Sequence, residues 1–321
     1  SLDRFGIEAG LRKLRGMFAL ALYDVQERSL LLARDYAGIK PLYYFSNNGI
    51  LGFASELKAL LETWPISRDV DYSSLLEVFC FGQAFSPRTC FAELQELEPG
   101  SYLLVNDAGI KEGKFWQWPT NTVVNSMTER DAVGELKHQL IDSLRVHLES
   151  DVPIAAFLSG GIDSSLLVTL LAKELRQPLN TFTVAFSDQR YDESAAAKRV
   201  ARHAGTQHRV VTVPSASGTP ALLTQILDQY DQPYGDSSCI PTWLISEEMS
   251  RHVKVVISGD GGDELFCGYP RYFRARILKW LGHVPHAPLT TRKLVEALGR
   301  VAPNRARQLD KAMQYAALPQ A

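Results

Sequence analysis

One stretch, residues 157–165 with the sequence FLSGGIDSS, constrains the fold more than any other. It follows a short apolar run at 151–158 and precedes residues 166–175, whose apolar side chains recur at helical spacing. The stretch therefore predicts a strand, a tight loop and a helix. Glycine lets the backbone approach a bulky anion, and the N–H groups and dipole at the start of the helix favour phosphate.

This loop differs from the common phosphate loop. Nothing in the chain matches G-x-x-x-x-G-K-[ST], and no lysine follows the glycines. A loop of serine hydroxyls and N–H groups, with an aspartate able to meet Mg²⁺, suits pyrophosphate that leaves from the α-phosphate of ATP. The alternative is an ordinary strand-to-helix turn, but S-G-G-x-D-S-S is long and unusual in composition for that.

A second glycine-rich loop, ISGDGGDELF at 257–266, also follows a predicted strand, residues 253–257. Its three acidic side chains would repel one another without a cation, and Mg²⁺ held by carboxylates and substrate phosphates would offset that repulsion. We expect Asp163 and Asp263, one from each loop, to reach Mg²⁺·ATP together. A solvated acidic turn is the alternative.

The second half of the chain alternates strands with helices, which predicts a parallel sheet with right-handed crossovers. In such sheets ligands lie at the carboxyl ends of the strands. A helix at 129–148 leads into this region. The other predicted strands are 181–186 and 207–213, and the other predicted helices are 192–203, 219–230 and 242–252.

The first part of the chain instead predicts antiparallel hairpins packed on helices, an α+β or sandwich-like layer. Asn47-Asn48-Gly49 is a hairpin turn signal because these residues tolerate positive φ. We expect Ser55 to cap a helix at 56–63, a second helix at 70–81, and a strand pair within 91–105 around Pro99-Gly100. The predicted strands are 16–24, 29–35, 41–45 and 50–55.

Composition excludes several classes of function. The 321 residues allow two domains, and the net charge of −2 gives no overall attraction to nucleic acid or to an anionic membrane. The four cysteines have neither C-x-x-C spacing nor nearby histidines, which argues against zinc and disulfides and indicates a reducing cytoplasm. No apolar run of membrane-spanning length occurs. The basic segment from Arg271 onward is interpreted as a solvated helical face, not as a nucleic-acid site.

Four motifs carry a resemblance to one family. SGGIDSS resembles the pyrophosphate loop of the ATP-pyrophosphatase group, and SDVPIAAFLSGGIDSS is similar to the glutamine-hydrolysing asparagine synthetase family. SGDGGDE resembles the S-G-[ED]-G-x-D-E motif of that family, and DQPYGDSS resembles its D-x-P-x-x-D-x-S loop. RDYAGIKPLYY and FASE resemble the second half of its class II glutaminase domain.

The resemblance implies an α+β, Ntn-hydrolase-like partial domain at 1–118 and a linker at 119–128. An α/β parallel-sheet ATP-pyrophosphatase domain, of the adenine nucleotide alpha hydrolase-like type, would follow at 129–321. The chain looks truncated at both ends and lacks the N-terminal cysteine of that glutaminase class. We therefore expect no glutamine hydrolysis from it, and we assign Arg34 and Asp35 a scaffold role.

The resemblance also implies the site residues. Asp260 would be the acid needed for acyl-adenylate formation. Some members of the family have glutamate at this position. The full implied set is Asp260, Asp263 and Glu264 for catalysis; Leu158, Ser159, Gly160, Gly161, Asp163, Ser164, Ser165, Val184, Ser258 and Gly259 for ATP; Asp231, Asp236 and Ser237 for the acceptor; and Asp163 and Asp263 for Mg²⁺.

The implied reaction activates the aspartate side-chain carboxylate as an acyl-AMP, releases pyrophosphate, and amidates the acyl group with ammonia from glutamine. The acceptor stays open, because relatives amidate sugar or lipid-linked carboxylates or close β-lactam rings. Two other classes stay open as well, a tRNA-modifying ATP-pyrophosphatase and a non-catalytic nucleotide-binding module. The expected partners are small molecules, without nucleic acid or membrane, and a homodimer is an assembly that the sequence leaves open.

Overall fold

The computed structural model describes residues 5–119, 127–186, 192–213, 220–270 and 272. The chain divides into two compact units, which are described separately. Unit 1 comprises residues 1–138, 184–192 and 211–252, and unit 2 comprises residues 139–183, 193–210 and 253–321. Most of the expected linker at 119–128, and all of the basic segment from Arg271 onward except Tyr272, lie outside the described residues.

Unit 1 contains two antiparallel sheets, as the hairpin pattern predicts. The first has the order β1-β2-β6-β7 and the second the order β4-β3-β5. Asn48 and Gly49 have φ of 50° and 76° and turn the chain between β3 and β4, which confirms the hairpin signal. The strands are β1 (Ala19–Asp24), β2 (Ser29–Arg34), β3 (Tyr43–Asn47), β4 (Ile50–Ala54), β5 (Gln95–Glu96), β6 (Ser101–Asn106) and β7 (Gly109–Lys114).

Strand β2 is covered on both faces, which explains the apolar run LLLA at residues 30–33. Leu31 and Ala33 pack with Tyr102 and Phe115 on one face. Leu32, on the other face, packs in a second cluster with Leu42, Tyr44, Leu97 and Leu103. A central strand covered on both sides needs apolar residues at successive positions.

The helices of unit 1 are α1 (Ile7–Leu11), α2 (Leu57–Thr63), α3 (Tyr72–Phe81), α7 (Pro220–Tyr230) and α8 (Cys239–Ser250). The predicted capping of α2 by Ser55 is wrong, because Glu56 is the N-cap residue and its side chain makes no capping hydrogen bond. Helix α3 is capped by Asp71, whose side chain accepts the N–H groups of Ser73 and Ser74. The predicted strand pair around Pro99-Gly100 is also wrong, because β5 and β6 lie in different sheets.

Unit 2 is organised around the predicted parallel arrangement. Strand β8 (Ile154–Phe157) pairs in parallel with both β9 (Asn180–Phe186) and β11 (Val255–Ile257). With β10 (Gln207–Val213) the sheet has the order β10-β9-β8-β11, and β9 and β10 run on into segments assigned to unit 1. The helices are α4 (Glu129–His147), which begins in unit 1, α5 (Ile162–Thr169), α6 (Ser194–Ala204) and α9 (Gly262–Phe266), and a π-helical turn, Leu170–Glu174, extends α5.

The strand order places a topological switch between β8 and β11. From β8 the chain proceeds to β9 and β10 on one side of the sheet, and it returns to β11 on the other side. The connections therefore leave β8 and reach β11 in opposite directions, which opens a crevice at the carboxyl ends of these two strands. In the described part of the chain, no helix is long and apolar enough to cross a membrane.

Candidate active site

A cavity of about 570 Å³ lies at the carboxyl ends of β8 and β11, where the switch occurs. Both glycine-rich loops contribute to its wall, so the predicted convergence of the two loops is confirmed. The lining residues are Phe157, Ser159, Gly161, Ile162, Asp163, Ser164, Ser258, Gly259, Asp260, Gly262, Asp263, Phe266 and Gly268.

The first loop turns sharply because of Gly160. This residue has φ of +88°, and a Cβ added to it would lie 2.7 Å from Ala196 Cβ and 2.9 Å from Ala197 N on α6. Only glycine fits this combination of conformation and space. Helix α5 then begins at Ile162, not near 166 as predicted, so Asp163 and Ser164 lie in its first turn. The polar residues that read as a loop are already helical.

The serines of the first loop organise one another. Ser164 Oγ lies 2.9 Å from Ser159 Oγ and accepts the N–H of Ser159 at 3.2 Å. Ser159 Oγ in turn accepts the N–H of Gly161 at 3.1 Å. Both serines line the cavity, Ser164 as a buried residue and Ser159 as an exposed one, so this network holds the Ser159 hydroxyl and the Gly161 amide beside the cavity.

The two loops pack directly against each other. A Cβ on Gly259 would lie 3.2 Å from Ser164 N, and a Cβ on Gly262 would lie 2.6 Å from Asp163 Oδ2. The glycines of the second loop are therefore what allow the Asp163 side chain to sit between the loops. The segment predicted as a glycine-rich loop at 257–266 ends in a short helix, α9, which carries Asp263 and Glu264 in its first turn. That part of the prediction is corrected.

The cavity wall is acidic. It carries the carboxylates of Asp163, Asp260 and Asp263, whereas none of the described lining residues is a lysine, arginine or histidine. Ser258 Oγ donates to Asp260 Oδ2 at 2.9 Å. Among the described residues, no cluster of three or more His, Cys, Asp or Glu side chains could hold a metal ion by itself. Hard oxygen donors beside an open cavity fit Mg²⁺, which binds few carboxylates and takes its remaining ligands from phosphates and water.

Five of the residues implied for catalysis and ATP binding do not line this cavity, and neither do the three implied acceptor residues. Leu158 is fully buried in the hydrophobic core, with its N–H donated to Phe182 O at 2.8 Å. Ser165 Oγ is buried and has no hydrogen-bond partner among the described residues, and Glu264 Oε1 accepts the Tyr269 hydroxyl at 2.7 Å. Gly160 packs against α6, and Val184 lies on β9.

The implied acceptor residues Asp231, Asp236 and Ser237 belong to unit 1. Asp231 is at φ 63°, and its carboxylate forms an ion pair with Lys58. Asp236 Oδ1 accepts the N–H of Ser238 at 2.9 Å, and Asp236 and Ser237 are both exposed.

The scaffold role predicted for Arg34 and Asp35 is confirmed. The guanidinium of Arg34 donates to the carbonyl oxygens of Gly38, Lys40 and Leu97 and pairs with Glu96 at 2.9 Å. The buried carboxylate of Asp35 accepts four N–H groups, from Phe18, Ala37, Ile39 and Lys40. Both side chains are fully engaged by the backbone around them.

Comparison with known families places both halves of the chain. The asparagine synthase family model matches residues 135–320, more than half of the chain and including both glycine-rich loops. The chain belongs to the asparagine synthase family. A glutamine amidotransferase domain model matches residues 1–116, which contain Arg34 and Asp35.

Individual relatives match over most of this chain. An asparagine synthetase of Bacillus subtilis is 36% identical over 278 residues, covering 87% of this chain and 43% of its own length. Asparagine synthetase B of Escherichia coli is 31% identical, covering 83% and 45% respectively. An amidase of Penicillium rubens, chyE, is 32% identical, covering 84% and 42%. The chain thus spans less than half the length of these relatives.

Sequence reasoning missed the apolar part of the site. Phe157, Ile162 and Phe266 line the cavity beside the polar residues. Phe157 is the last residue of β8, and a side chain at the carboxyl end of a strand beside a switch point is a signal that could have identified it. Phe266 gave no such signal, because its position depends on α9, which was not predicted.

Proposed function

We propose that the protein containing this chain is an ATP-dependent ligase that converts the side-chain carboxylate of aspartate to an amide, with glutamine as the nitrogen donor. The observation that carries this proposal is the acidic cavity that the two glycine-rich loops form together at the switch between β8 and β11. A wall with three carboxylates, in which none of the described lining residues is a lysine, arginine or histidine, suits a nucleotide that brings its own Mg²⁺.

In this proposal the first loop receives the departing pyrophosphate. The Ser159 hydroxyl and the Gly161 amide lie beside the cavity, and the dipole of α5 favours negative charge there. Asp163 and Asp263 would hold Mg²⁺. The bound ion would neutralise part of the negative charge on the phosphates. Asp260, fixed by Ser258, would orient the reacting groups.

The proposed chemistry has two steps. A carboxylate oxygen of the acceptor attacks the α-phosphorus of ATP, and the bond from that phosphorus to the pyrophosphate oxygen breaks. Ammonia then attacks the acyl carbon, loses a proton, and displaces AMP with that carboxylate oxygen still attached. The three acidic residues of the cavity take part by binding and orientation, and ammonia arrives from the glutamine amidotransferase part of the intact protein.

The finer assignments made from the resemblance belong to the same proposal. Residues 1–118 would be the C-terminal part of an Ntn-hydrolase-like glutaminase domain, and residues 129–321 would belong to an adenine nucleotide alpha hydrolase-like domain. The glutamine amidotransferase match at 1–116 and the asparagine synthase match at 135–320 support this division. The cytoplasm is the proposed location.

The metal-site assignment is tested with Asp163→Asn and Asp263→Asn in the intact gene product. Pyrophosphate release is measured with ATP, Mg²⁺, ammonium and L-aspartate. We expect each variant to lose at least about 100-fold in kcat/KM for ATP, because each removes charge from the cavity wall. Asp151→Asn, an exposed aspartate ahead of β8 in the same unit, is the matched control. Full activity in both cavity variants would contradict the assignment.

The identity of the acceptor needs its own experiment. The similarity to a relative named as an amidase supports testing carboxylates other than aspartate. Pyrophosphate release should depend on L-aspartate and yield AMP and asparagine in equal amounts. Release that requires a different carboxylate would keep the mechanism and change the substrate.

A further inference from the structure

The acceptor loop, residues 231–238, is fixed at three points to residues matched by the glutamine amidotransferase domain model. All of these contacts lie inside unit 1. They join α2, the end of α3 and the segment before β5 to a loop that belongs to the asparagine synthase match. The loop is therefore shaped by both parts of the sequence.

The first point of attachment is Lys58, in the first turn of α2. Its Nζ lies 3.0 Å from Asp231 Oδ1 and donates to Asp228 O at 2.9 Å. Its backbone N–H donates to Asp231 Oδ2 at 3.1 Å. Hydrogen bonding to Asp231 raises the pKa of Lys58, which favours the charged form that the ion pair needs. One residue thus engages both oxygens of the Asp231 carboxylate.

The other two points use the backbone of the first part of the chain. Cys90 N donates to the side-chain oxygen of Gln232 at 3.1 Å. Gly235 N donates to Gly82 O at 2.7 Å, where α3 ends. A Cβ on Gly235 would lie 3.0 Å from Gly82 Cα, so glycine permits this close backbone approach.

The environment of Asp231 decides what its carboxylate can do. Its side chain is 7% exposed, whereas that of Lys58 is 41% exposed. A nearly buried carboxylate whose two oxygens are both engaged is stabilised by its partner and is poorly placed to bind a substrate ammonium group. Asp236 and Ser237, on the same loop, are exposed.

We propose that Lys58 is a positioning residue of the acceptor site, and that Asp231 serves this site by its tie to Lys58 and not by contact with the acceptor. Asp236 and Ser237 are then the residues of the loop that meet the acceptor. This inference rests on the proposed function and extends it, since it divides the implied acceptor residues into one that positions the loop and two that bind.

A double-mutant cycle in the intact gene product tests the proposal. Lys58→Met, Asp231→Asn and the double variant are compared by the KM for the acceptor carboxylate and the KM for ATP. We expect each single variant to raise the acceptor KM about five- to tenfold and to leave the ATP KM within about twofold. The double variant should be no worse than the more impaired single variant, because both substitutions remove the same ion pair between Lys58 Nζ and the Asp231 carboxylate.

A conservative variant and a matched control distinguish a role in positioning the acceptor loop from a general loss of structure or activity. Lys58→Arg keeps the charge and should restore the acceptor KM to within about threefold of the natural protein. Lys111→Met, which removes an exposed lysine from β7, should change neither KM. Two results would overturn the proposal by showing that Asp231 contacts the acceptor. In the first, Asp231→Asn raises the acceptor KM strongly and Lys58→Met does not change it. In the second, the effects of the two substitutions on the acceptor KM add in the double variant.

Hydrogen exchange gives a readout that needs no turnover. Backbone amides at 231–235 should exchange faster in Lys58→Met than in the natural protein. In Lys111→Met their exchange rates should be unchanged. If no carboxylate supports pyrophosphate release, the proposed function fails, and the exchange of this segment still decides whether the tie exists. Unchanged exchange in Lys58→Met would reject the tie, whatever the substrate.

Discussion

At the scale of single residues, the first part of the chain depends on the buried carboxylate of Asp35. Its side chain accepts the N–H groups of Ala37, Ile39 and Lys40 in the turn that follows β2, and it also accepts the N–H of Phe18, which precedes β1. Arg34 fixes the same turn through carbonyl oxygens. Charged side chains that are satisfied by buried backbone groups are costly to remove, because the backbone groups lose their partners.

Asp35→Asn tests this role. The amide keeps the shape of the side chain but replaces one acceptor oxygen with a donor that faces N–H groups. We expect a loss of about 2–4 kcal/mol in the free energy of unfolding, measured by urea denaturation. Asp107→Asn, which disrupts an exposed ion pair with Arg28, should cost less than about 1 kcal/mol. Equal effects of the two substitutions would contradict the scaffold role.

Gly160 is the corresponding residue of the first glycine-rich loop. In Gly160→Ala both the positive φ and the contact with α6 oppose a Cβ, so we expect a loss of at least about 2 kcal/mol in stability and weaker ATP binding. Gly161→Ala is the matched control for stability, because Gly161 has φ of −67° and, among the described residues, its Cβ would meet only Ser159 Oγ, at 3.2 Å. Calorimetry of unfolding and of ATP binding measures both effects. A Gly160→Ala variant as stable as Gly161→Ala would refute the argument.

Among the helices and strands, those features that depend on a local sequence pattern were predicted correctly. Alternating strands and helices identified the parallel sheet, and the Asn-Asn-Gly turn identified the β3–β4 hairpin. Strand β7 gave no signal, because its residues GIKEGK are polar and it forms an edge strand through pairing with β6. The partners of β5 and β6 could not be read from the turn between them, because strand pairing is decided by distant residues.

The same limit applies to the site. Glycine, serine and aspartate spacing located both loops, but the start of α5 at Ile162 and the helix α9 depend on packing between the loops. The tie between Lys58 and Asp231 joins residues 173 positions apart, and no local pattern could have indicated it.

Strand β3 supplies a prediction of pH dependence. Burial, reinforced by the charge of Glu112, raises the pKa of Tyr44 to about 12, and burial with Glu96 does the same for Tyr43. The unfolded chain gives up these protons near pH 10, so the folded state binds more protons in the interval above it. The stability they contribute is therefore complete below about pH 10 and is lost as the pH rises towards 12.

Tyr44→Phe measures this contribution. The free energy of unfolding is measured by chemical denaturation at a series of pH values. Between about pH 10 and 12 it should fall more steeply for the unmodified chain than for the variant. Tyr72→Phe, on the exposed face of α3, should leave the slope of the unmodified chain unchanged. Parallel curves for the unmodified chain and Tyr44→Phe would contradict the assigned burial effect.

At the scale of the whole molecule, two family matches meet in one chain. Residues 1–116 match a glutamine amidotransferase domain and residues 135–320 match asparagine synthase, yet unit 1 combines residues from both. In the described residues, the acceptor loop of the asparagine synthase match contacts residues of the amidotransferase match. We therefore predict that the amidotransferase part both supplies ammonia and shapes the acceptor site.

An isotope label in the acceptor carboxylate tests the proposed acyl-adenylate mechanism. The intact gene product is given ATP, Mg²⁺, ammonium and L-aspartate labelled with ¹⁸O in its side-chain carboxylate, and AMP, pyrophosphate and phosphate are analysed by mass spectrometry. The account predicts one ¹⁸O in AMP for each asparagine formed, because the carboxylate oxygen bonds to the α-phosphorus and stays there when ammonia attacks. Label in inorganic phosphate, with ADP as the nucleotide product, would contradict it.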